Sequence, residues 1–194
     1  MQRLTIAVDC DDVLLPSVQS IIDIYNRKYG TAVAYKDAYS TDVPQWQAAP
    51  EQITERIFDI QLSSEYTSVK PFAEAVEVCS RLARWHSLYL VTARPDSIMT
   101  FTLAMIDQHF PDVFSEIEHI GLDGNKGDVC HLLQADVLID DRHKHLRTAY
   151  DRGIENLLWF GDYPWQYRGA EDEMGLIVCP DWQEVEAQIE RIAN

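Results

Sequence analysis

Apolar residues along this chain come in short runs separated by stretches of helical spacing. Leu4–Val8, Ser87–Val91, Val137–Ile139 and Asn156–Phe160 read as strands, Ile117–Ile120 as a weaker one, and Leu176–Val178 as an edge strand. Runs that are apolar on both faces suit a parallel sheet covered on two sides. Helices fill most of the gaps. Pro71–His86 has Pro71 at its start and Val76, Leu82 and Trp85 at helical spacing. Ser97–His109 ends before Pro111. Lys126–Leu133 follows, then His143–Arg152, which Gly153 stops, and Asp181–Ile192, for which Asp181 is the N-cap candidate. Strands alternating with helices predict a doubly wound α/β domain.

The interval between the first two strands is too long for one crossover. Residues 17–70 contain two helical patterns, Ser17–Tyr29 and Glu51–Leu62, joined by the loop "YSTDVPQWQAAP". The chain therefore divides into a core, residues 1–16 and 71–194, and a small helical insertion, residues 17–70, placed directly after the first strand. The 194 residues are 46% hydrophobic and 25% charged, which suits one globular core with an insertion. The formal net charge of −16 repels nucleic-acid backbones and anionic membranes. An anionic small substrate would then need a local cation. No apolar run approaches the roughly 20 residues of a membrane span. Cys10, Cys79, Cys130 and Cys179 are widely spaced and read as buried free thiols of a reducing compartment. The N-terminus meets acidic residues too early for a secretory signal, so a cytoplasmic location is expected.

Charge changes the picture at "IAVDCDDVLLPS", residues 6–17, where three carboxylates stand between two apolar segments. Ligands of open α/β sheets bind beyond the carboxyl ends of the strands. At those ends stand Asp9, Asp11 and Asp12, then Thr92-Ala93-Arg94, then Asp140-Asp141, while Lys126 opens the helix before the fourth strand. Two like charges 4 Å apart repel by about 4 kcal/mol at an effective dielectric near 20. Asp9, Asp11, Asp140 and Asp141 could not cluster ionised without a cation, and a hard divalent ion such as Mg²⁺ suits oxygen donors. Carboxylates, a hydroxyl and an ammonium at these positions are the parts of a metal-assisted phosphoryl transfer through an aspartate nucleophile.

The same residues closely resemble the four motifs of the haloacid dehalogenase superfamily of phosphohydrolases. "VDCDDVLL" looks like the first motif, "LYLVTARP" the second, "GNKGDVC" the third and "ADVLIDDR" the fourth. The resemblance implies a Rossmann-like core with a helical cap. Within the superfamily, "DCDDVLLPSVQSIIDIYNRKYG", "TARP" and "LIDDRHKHLRTAYDRGIENLLWFGDYPW" look most like the 5′(3′)-deoxyribonucleotidase group. Asp12-Val13 stand where that pattern more usually has Gly or Thr. The resemblance implies Asp9 as nucleophile and Asp11 as the acid and base. Asp9, the backbone carbonyl of Asp11 and Asp140 would bind Mg²⁺, with Asp141 acting through water or a second bond. Thr92, the amide of Ala93 and Lys126 would hold the phosphoryl group. The implied substrate is a small phosphorylated molecule, a (deoxy)nucleoside monophosphate or, as the alternative, a sugar phosphate or other metabolite.

Residues beside the motifs have weaker assignments. Arg94 is a candidate substrate contact or a salt bridge. His143 and His145 read as solvated capping groups. Trp46, Tyr39, Phe58 and Tyr66 lie in the insertion, where Trp46 or Tyr66 could stack on a base. Trp159, Trp165 and Tyr167 read as structural, and the Cys10 thiol as a passive filler. A phospho-receiver also combines an acidic pair, Thr and Lys, but there the acidic pair precedes the others, and the insertion is foreign to it. A catalytically dead binding module would lack some of these side chains. A dehalogenase would not need Asp11.

Overall fold

The computed structural model describes residues 2–166 and 174–194. Tyr167 lies outside them. Strands β1 (Thr5–Val8), β2 (Ser87–Thr92), β3 (Phe114–His119), β4 (Val137–Asp140), β5 (Asn156–Phe160) and β6 (Ile177–Cys179) form one sheet. All neighbours are parallel, in the order β3-β2-β1-β4-β5-β6. The chain moves outward from β1 to β3, then returns across β1 to build β4, β5 and β6. The order therefore reverses between β1 and β4, where open sheets of this kind leave a crevice for ligands.

Alternation along the strands assigns the two faces. Ile6, Val8, Leu88, Leu90, Val137, Ile139, Leu158 and Phe160 pack under α4 (Ala73–Leu82), α5 (Met99–His109) and α8 (Trp182–Ile192). Ala7, Val91, Leu138, Leu157 and Trp159 pack under α6 (Lys126–Leu132) and α7 (His143–Tyr150). Both faces are apolar, which is why these strands read as continuous runs. Asp181 caps α8, its Oδ1 accepting from Glu184 N at 2.9 Å.

Residues 17–70 hold α1 (Ser17–Tyr29), α2 (Pro50–Gln61) and the short α3 (Ser64–Thr67). They carry their own apolar centre of Ile22, Ile24, Tyr25, Val33, Trp46, Ile53, Ile60 and Tyr66. Tyr25 Oη donates to the Trp46 carbonyl at 3.1 Å, tying α1 to the loop. The two crossings between this segment and the sheet domain are joined, since Phe72 N donates to Leu14 O at 2.8 Å.

Three sequence expectations shift. Strand β3 starts at Phe114 rather than Ile117, because it lies at the sheet edge and alternates exposed Glu116 with half-buried Ile117. Helix α4 ends at Leu82, so Trp85 falls in the following turn and is 64% exposed instead of joining the apolar face. The helix also begins at Ala73, two residues after Pro71.

Candidate active site

Strand register builds the centre of the site. Val8 pairs with Ile139, so Asp9 and Asp140 leave the sheet side by side at the topological reversal. Asp9 N donates to Ile139 O at 3.0 Å. Carboxylate oxygens of Asp9, Asp140 and Asp141 all lie within 4.8 Å of one another, and all three residues are buried.

Lys126 enters from α6. Asn125 caps that helix by accepting from Asp128 N at 3.3 Å. The next residue, Gly127, packs against the backbone of α7, where an added Cβ would lie 2.0 Å from Thr148 O. That close approach delivers the Lys126 side chain to the carboxylates, where it is fully buried. Its Nζ lies 2.5 Å from Asp9 Oδ1 and 2.6 Å from Asp140 Oδ2. Burial alone would depress the ammonium, but Asp140 and Asp9 outweigh it and raise its pKa.

One lysine does not balance three carboxylates. Burial pushes Asp9 up to about 6, against the pull of Lys126. Burial and the charges of Asp140 and Asp9 hold Asp141 well above the usual carboxylate range. Such raised values mark negative charge that still lacks a partner. The donors are hard carboxylate oxygens already gathered on one spot, so a divalent cation of the Mg²⁺ type fits them.

Asp11 points elsewhere. Arg94 Nη2 and Nε approach its carboxylate at 2.6 Å and 3.0–3.1 Å, and Ser17 Oγ donates to the same Oδ1. Tyr66 Oη stands 3.5 Å from that oxygen and 3.2 Å from both Ser17 Oγ and Arg94 Nη2. Arg94 is itself buried and held by Thr102 Oγ1 at 3.0 Å. Burial would raise the Asp11 carboxyl; the Arg94 guanidinium and these hydrogen bonds win and hold it below its ordinary value. Arg94 thus makes a salt bridge, to Asp11. Tyr66 likewise serves Asp11 and Ser17 rather than an open face, and Ser17 is a site residue the sequence reading missed.

Asp12 explains its own departure from the common pattern. Its φ is +56°, a left-handed conformation that glycine adopts freely and that Asp tolerates better than most residues. Its carboxylate accepts from Val18 N at 3.2 Å and so caps α1, where Pro16 offers no side-chain cap. Burial, and then the charge of Asp11, push Asp12 up to about 8.

Thr92 is buried, with Oγ1 accepting from Arg94 N at 3.3 Å. Ala93 lies at the floor of a cavity of about 370 Å³. The floor also holds Asp9, Asp11 and Lys126. Val18, Ile21, Trp46 and Ile57 from residues 17–70 give the cavity an apolar surface, and Tyr39, Gln61, Leu122, Arg142 and Lys144 also line it. Trp46 is only 1% exposed and its Nε1 donates to Ser40 O at 3.1 Å, so it is first a core residue of the insertion that shows one edge to the cavity. His145 also lines the cavity, and burial, with the neighbouring Lys126 charge, lowers it to about 4. Both histidines are half-buried near the start of α7; His143 Nε2 is buried with no hydrogen-bond partner among the described residues, its ring 6.0 Å from that of Trp159. Trp159 Nε1 and Trp165 Nε1 donate to Asp141 O and Oδ2 at 2.9 and 3.0 Å, so these tryptophans touch the site they were expected only to support.

Residues 3–193 match the family described as 5′ nucleotidase, deoxy (Pyrimidine), cytosolic type C protein. The chain belongs to that family. It is accordingly a phosphatase of the haloacid dehalogenase type. Solved structures with the same fold include a haloacid dehalogenase-like hydrolase of Streptococcus pneumoniae, 16% identical over 96% of this chain and 98% of that one, with a TM-score of 0.67. A haloacid dehalogenase family hydrolase of Deinococcus radiodurans, with bound phosphate and sodium, is 15% identical over 98% and 96%, with a TM-score of 0.68. A hydrolase of the same superfamily from Bacillus subtilis, bound to magnesium, is 11% identical over 97% and 99%, with a TM-score of 0.67. No curated protein matches the chain by sequence.

Proposed function

We propose that this nucleotidase-family phosphatase is Mg²⁺-dependent and hydrolyses (deoxy)nucleoside monophosphates through an aspartyl-phosphate on Asp9. The observation that carries the reading is the cavity itself. Its floor gathers Asp9, Asp11, Ala93 and Lys126, and residues 17–70 supply Val18, Ile21, Trp46 and Ile57 to its lining, beside the polar Gln61, Arg142 and Lys144. A volume near 370 Å³ falls in the range of small-molecule sites, roughly 300–1,000 Å³. A phosphate at the floor would leave its esterified group against Val18, Ile21, Trp46 and Ile57, a surface that suits a flat base better than a polyhydroxylated sugar.

In this reading an Asp9 oxygen attacks phosphorus, and the bond from phosphorus to the ester oxygen breaks. Asp11 gives its proton to the departing alkoxide, then takes one from the water that hydrolyses the acyl phosphate. Arg94 keeps Asp11 ionised in the arrangement described above; the negative charge of an incoming phosphate works in the opposite sense and favours the protonated acid. Thr92, Ala93 N and Lys126 hold the phosphoryl oxygens, and Lys126 keeps the Asp9 carboxylate turned toward them. Asp9, Asp140, the Asp11 carbonyl and Asp141 would hold Mg²⁺, which when bound would neutralise charge on the phosphoryl group. Magnesium in the Bacillus relative and phosphate in the Deinococcus relative agree with this assignment. Residues 17–70 would act as the specificity cap, since Val18, Ile21, Tyr39, Trp46 and Ile57 line the cavity that would hold the leaving alcohol. The four cysteines are buried and unpaired, and no helix among the described residues is long and apolar enough to cross a membrane. Those features and the family's cytosolic description fit work in the cytoplasm.

A hydrolysis screen over deoxyribo- and ribonucleoside monophosphates and sugar phosphates, with Mg²⁺ or with chelator, tests the reading. Deoxynucleotides should lead the panel and chelator should abolish turnover. A sugar phosphate as the best substrate would overturn the substrate assignment, and full activity in chelator would overturn the metal.

A further inference from the structure

Trp165 reaches the carboxylate cluster from outside the strand ends that build it. Its Nε1–H donates to Asp141 Oδ2 at 3.0 Å. Its ring stacks on Tyr163, with centroids 4.6 Å apart and planes 9° apart. Tyr163 Oη in turn donates to the Asp12 carbonyl at 2.6 Å. Gln166 braces the pair: its Nε2 donates to Asp141 O at 3.1 Å and Phe160 O at 2.7 Å, and its Oε1 accepts from Tyr163 N at 3.1 Å. Gly161 makes room, since a Cβ there would lie 2.3 Å from the Tyr163 ring.

The same ring pair is met from the insertion. Tyr35 stands edge-on to Trp165 at 5.1 Å and to Tyr163 at 6.5 Å, and Tyr39 meets Trp165 at 5.3 Å. The Arg142 guanidinium lies 3.8 Å from the Tyr39 ring centroid, and Arg142 N donates to Asp140 Oδ1 at 2.8 Å. Two of the three clustered carboxylates are thus held by residues on which the insertion rests.

From these contacts we infer that Trp165, seated on Tyr163, is a positioning residue for Asp141 that links docking of residues 17–70 to divalent-cation binding at the Asp9–Asp140–Asp141 cluster. The inference rests on the metal assignment of the proposed function. An indole N–H is a neutral donor. It fixes one Asp141 oxygen without cancelling the charge, so the carboxylate stays oriented and still wants a cation. A lysine or arginine in that place would satisfy the charge and compete with the ion. Partners that orient metal ligands change affinity by about 10–100-fold when removed. The coupling is reciprocal: whatever seats the insertion more firmly strengthens cation binding, and the bound cation strengthens seating by the same factor.

Isothermal titration of the whole protein with Mg²⁺, without substrate, tests this. Trp165→Phe keeps a ring but removes the donor and should weaken Mg²⁺ binding about tenfold. Tyr35→Leu, which touches no carboxylate, should cause a smaller loss. The double variant should bind no more weakly than Trp165→Phe alone, because both act through one path. Circular dichroism and thermal melting check that each variant is folded; if Trp165→Phe is not, Tyr163→Leu, which removes the ring on which Trp165 is seated, takes its place with the same expected direction. Unchanged affinity in Trp165→Phe would overturn the positioning role. No loss in Tyr35→Leu, or fully additive losses, would overturn the link to the insertion. Failure of the wild-type protein to take up Mg²⁺ would instead remove the metal assignment beneath it.

Discussion

Arg94→Met separates an electrostatic role from a packing role, because the two depend differently on pH. Met keeps most of the volume and removes the charge. In the native protein Arg94 faces Asp11 through contacts of 2.6–3.1 Å. A pair of unit charges near 4 Å is worth about 4 kcal/mol at an effective dielectric of 20. The Asp11 side chain is 36% exposed, and water in the cavity screens the pair, so about 2 kcal/mol is the expected net loss. For a domain of this size that lowers Tm by about 4–8 °C at pH 7. The sign of the pH dependence follows from Asp11. Its folded pKa is depressed below 3.8, so its contribution is present above that value and lost as pH falls. Without Arg94, burial raises the carboxyl, and the folded state then loses stability as pH climbs through 3.8. The Tm gap between wild type and variant should therefore widen from pH 3 to pH 7, as read by differential scanning calorimetry. Turnover should fall as well, since Asp11 loses its fixed orientation. A gap that is constant with pH would mean that Arg94 only fills space, and the account of Asp11 would fail.

Gly127→Ala should be far more damaging than its size suggests, because its Cβ would lie 2.0 Å from the Thr148 carbonyl; α6 must move and carry Lys126 with it, which stability and kcat measured together would report, while wild-type values for both would refute the packing argument. Free of metal, the protein should lose stability as pH rises from 3.8 toward 8, because the folded state retains protons on Asp9 to about 6 and on Asp12 to about 8. Each such retained proton contributes a slope of up to about 1.4 kcal/mol per pH unit. His145 opposes this between 6.5 and about 4, where the unfolded chain holds the proton that the folded state refuses, so His145→Gln should steepen the decline there. Mg²⁺ should flatten the Asp9 part of the slope; a pH–stability curve indifferent to metal would contradict the cluster assignment.

Much of this fold could be read directly from residue order, and the reasons are local. Ser17–Tyr29 is recovered at both ends because its apolar stripe is continuous and Gly30, in a left-handed conformation, closes it. Strands β1, β2, β4 and β5 stand out because both faces are buried. The edge strand β3 and the exposed Trp85 were misplaced for the complementary reason, that half-exposed positions carry little periodic signal. The gathering of Asp9, Lys126 and Asp140 was legible from their places at strand and helix ends. What periodicity could not give was direction. Nothing in "TARP" says that Arg94 turns back onto Asp11, that Tyr66 and Ser17 meet it there, or that Trp165 reaches Asp141. Those contacts depend on how residues 17–70 and the segment after β5 fold over the sheet, and no local pattern encodes them. Asp12 was the one available clue, since a non-glycine residue beside the acidic pair invited the question of what its side chain does.

The central claim, that Asp9 becomes phosphorylated, has a direct test. The protein is mixed with a deoxynucleoside monophosphate and Mg²⁺, quenched in acid within a turnover, reduced with borohydride and mapped by mass spectrometry. An acyl phosphate reduces to an alcohol, so homoserine should appear at position 9, only with substrate, and not in Asp9→Asn. Steady turnover with no modification at position 9, or substrate-dependent reduction at another carboxylate, would contradict the account.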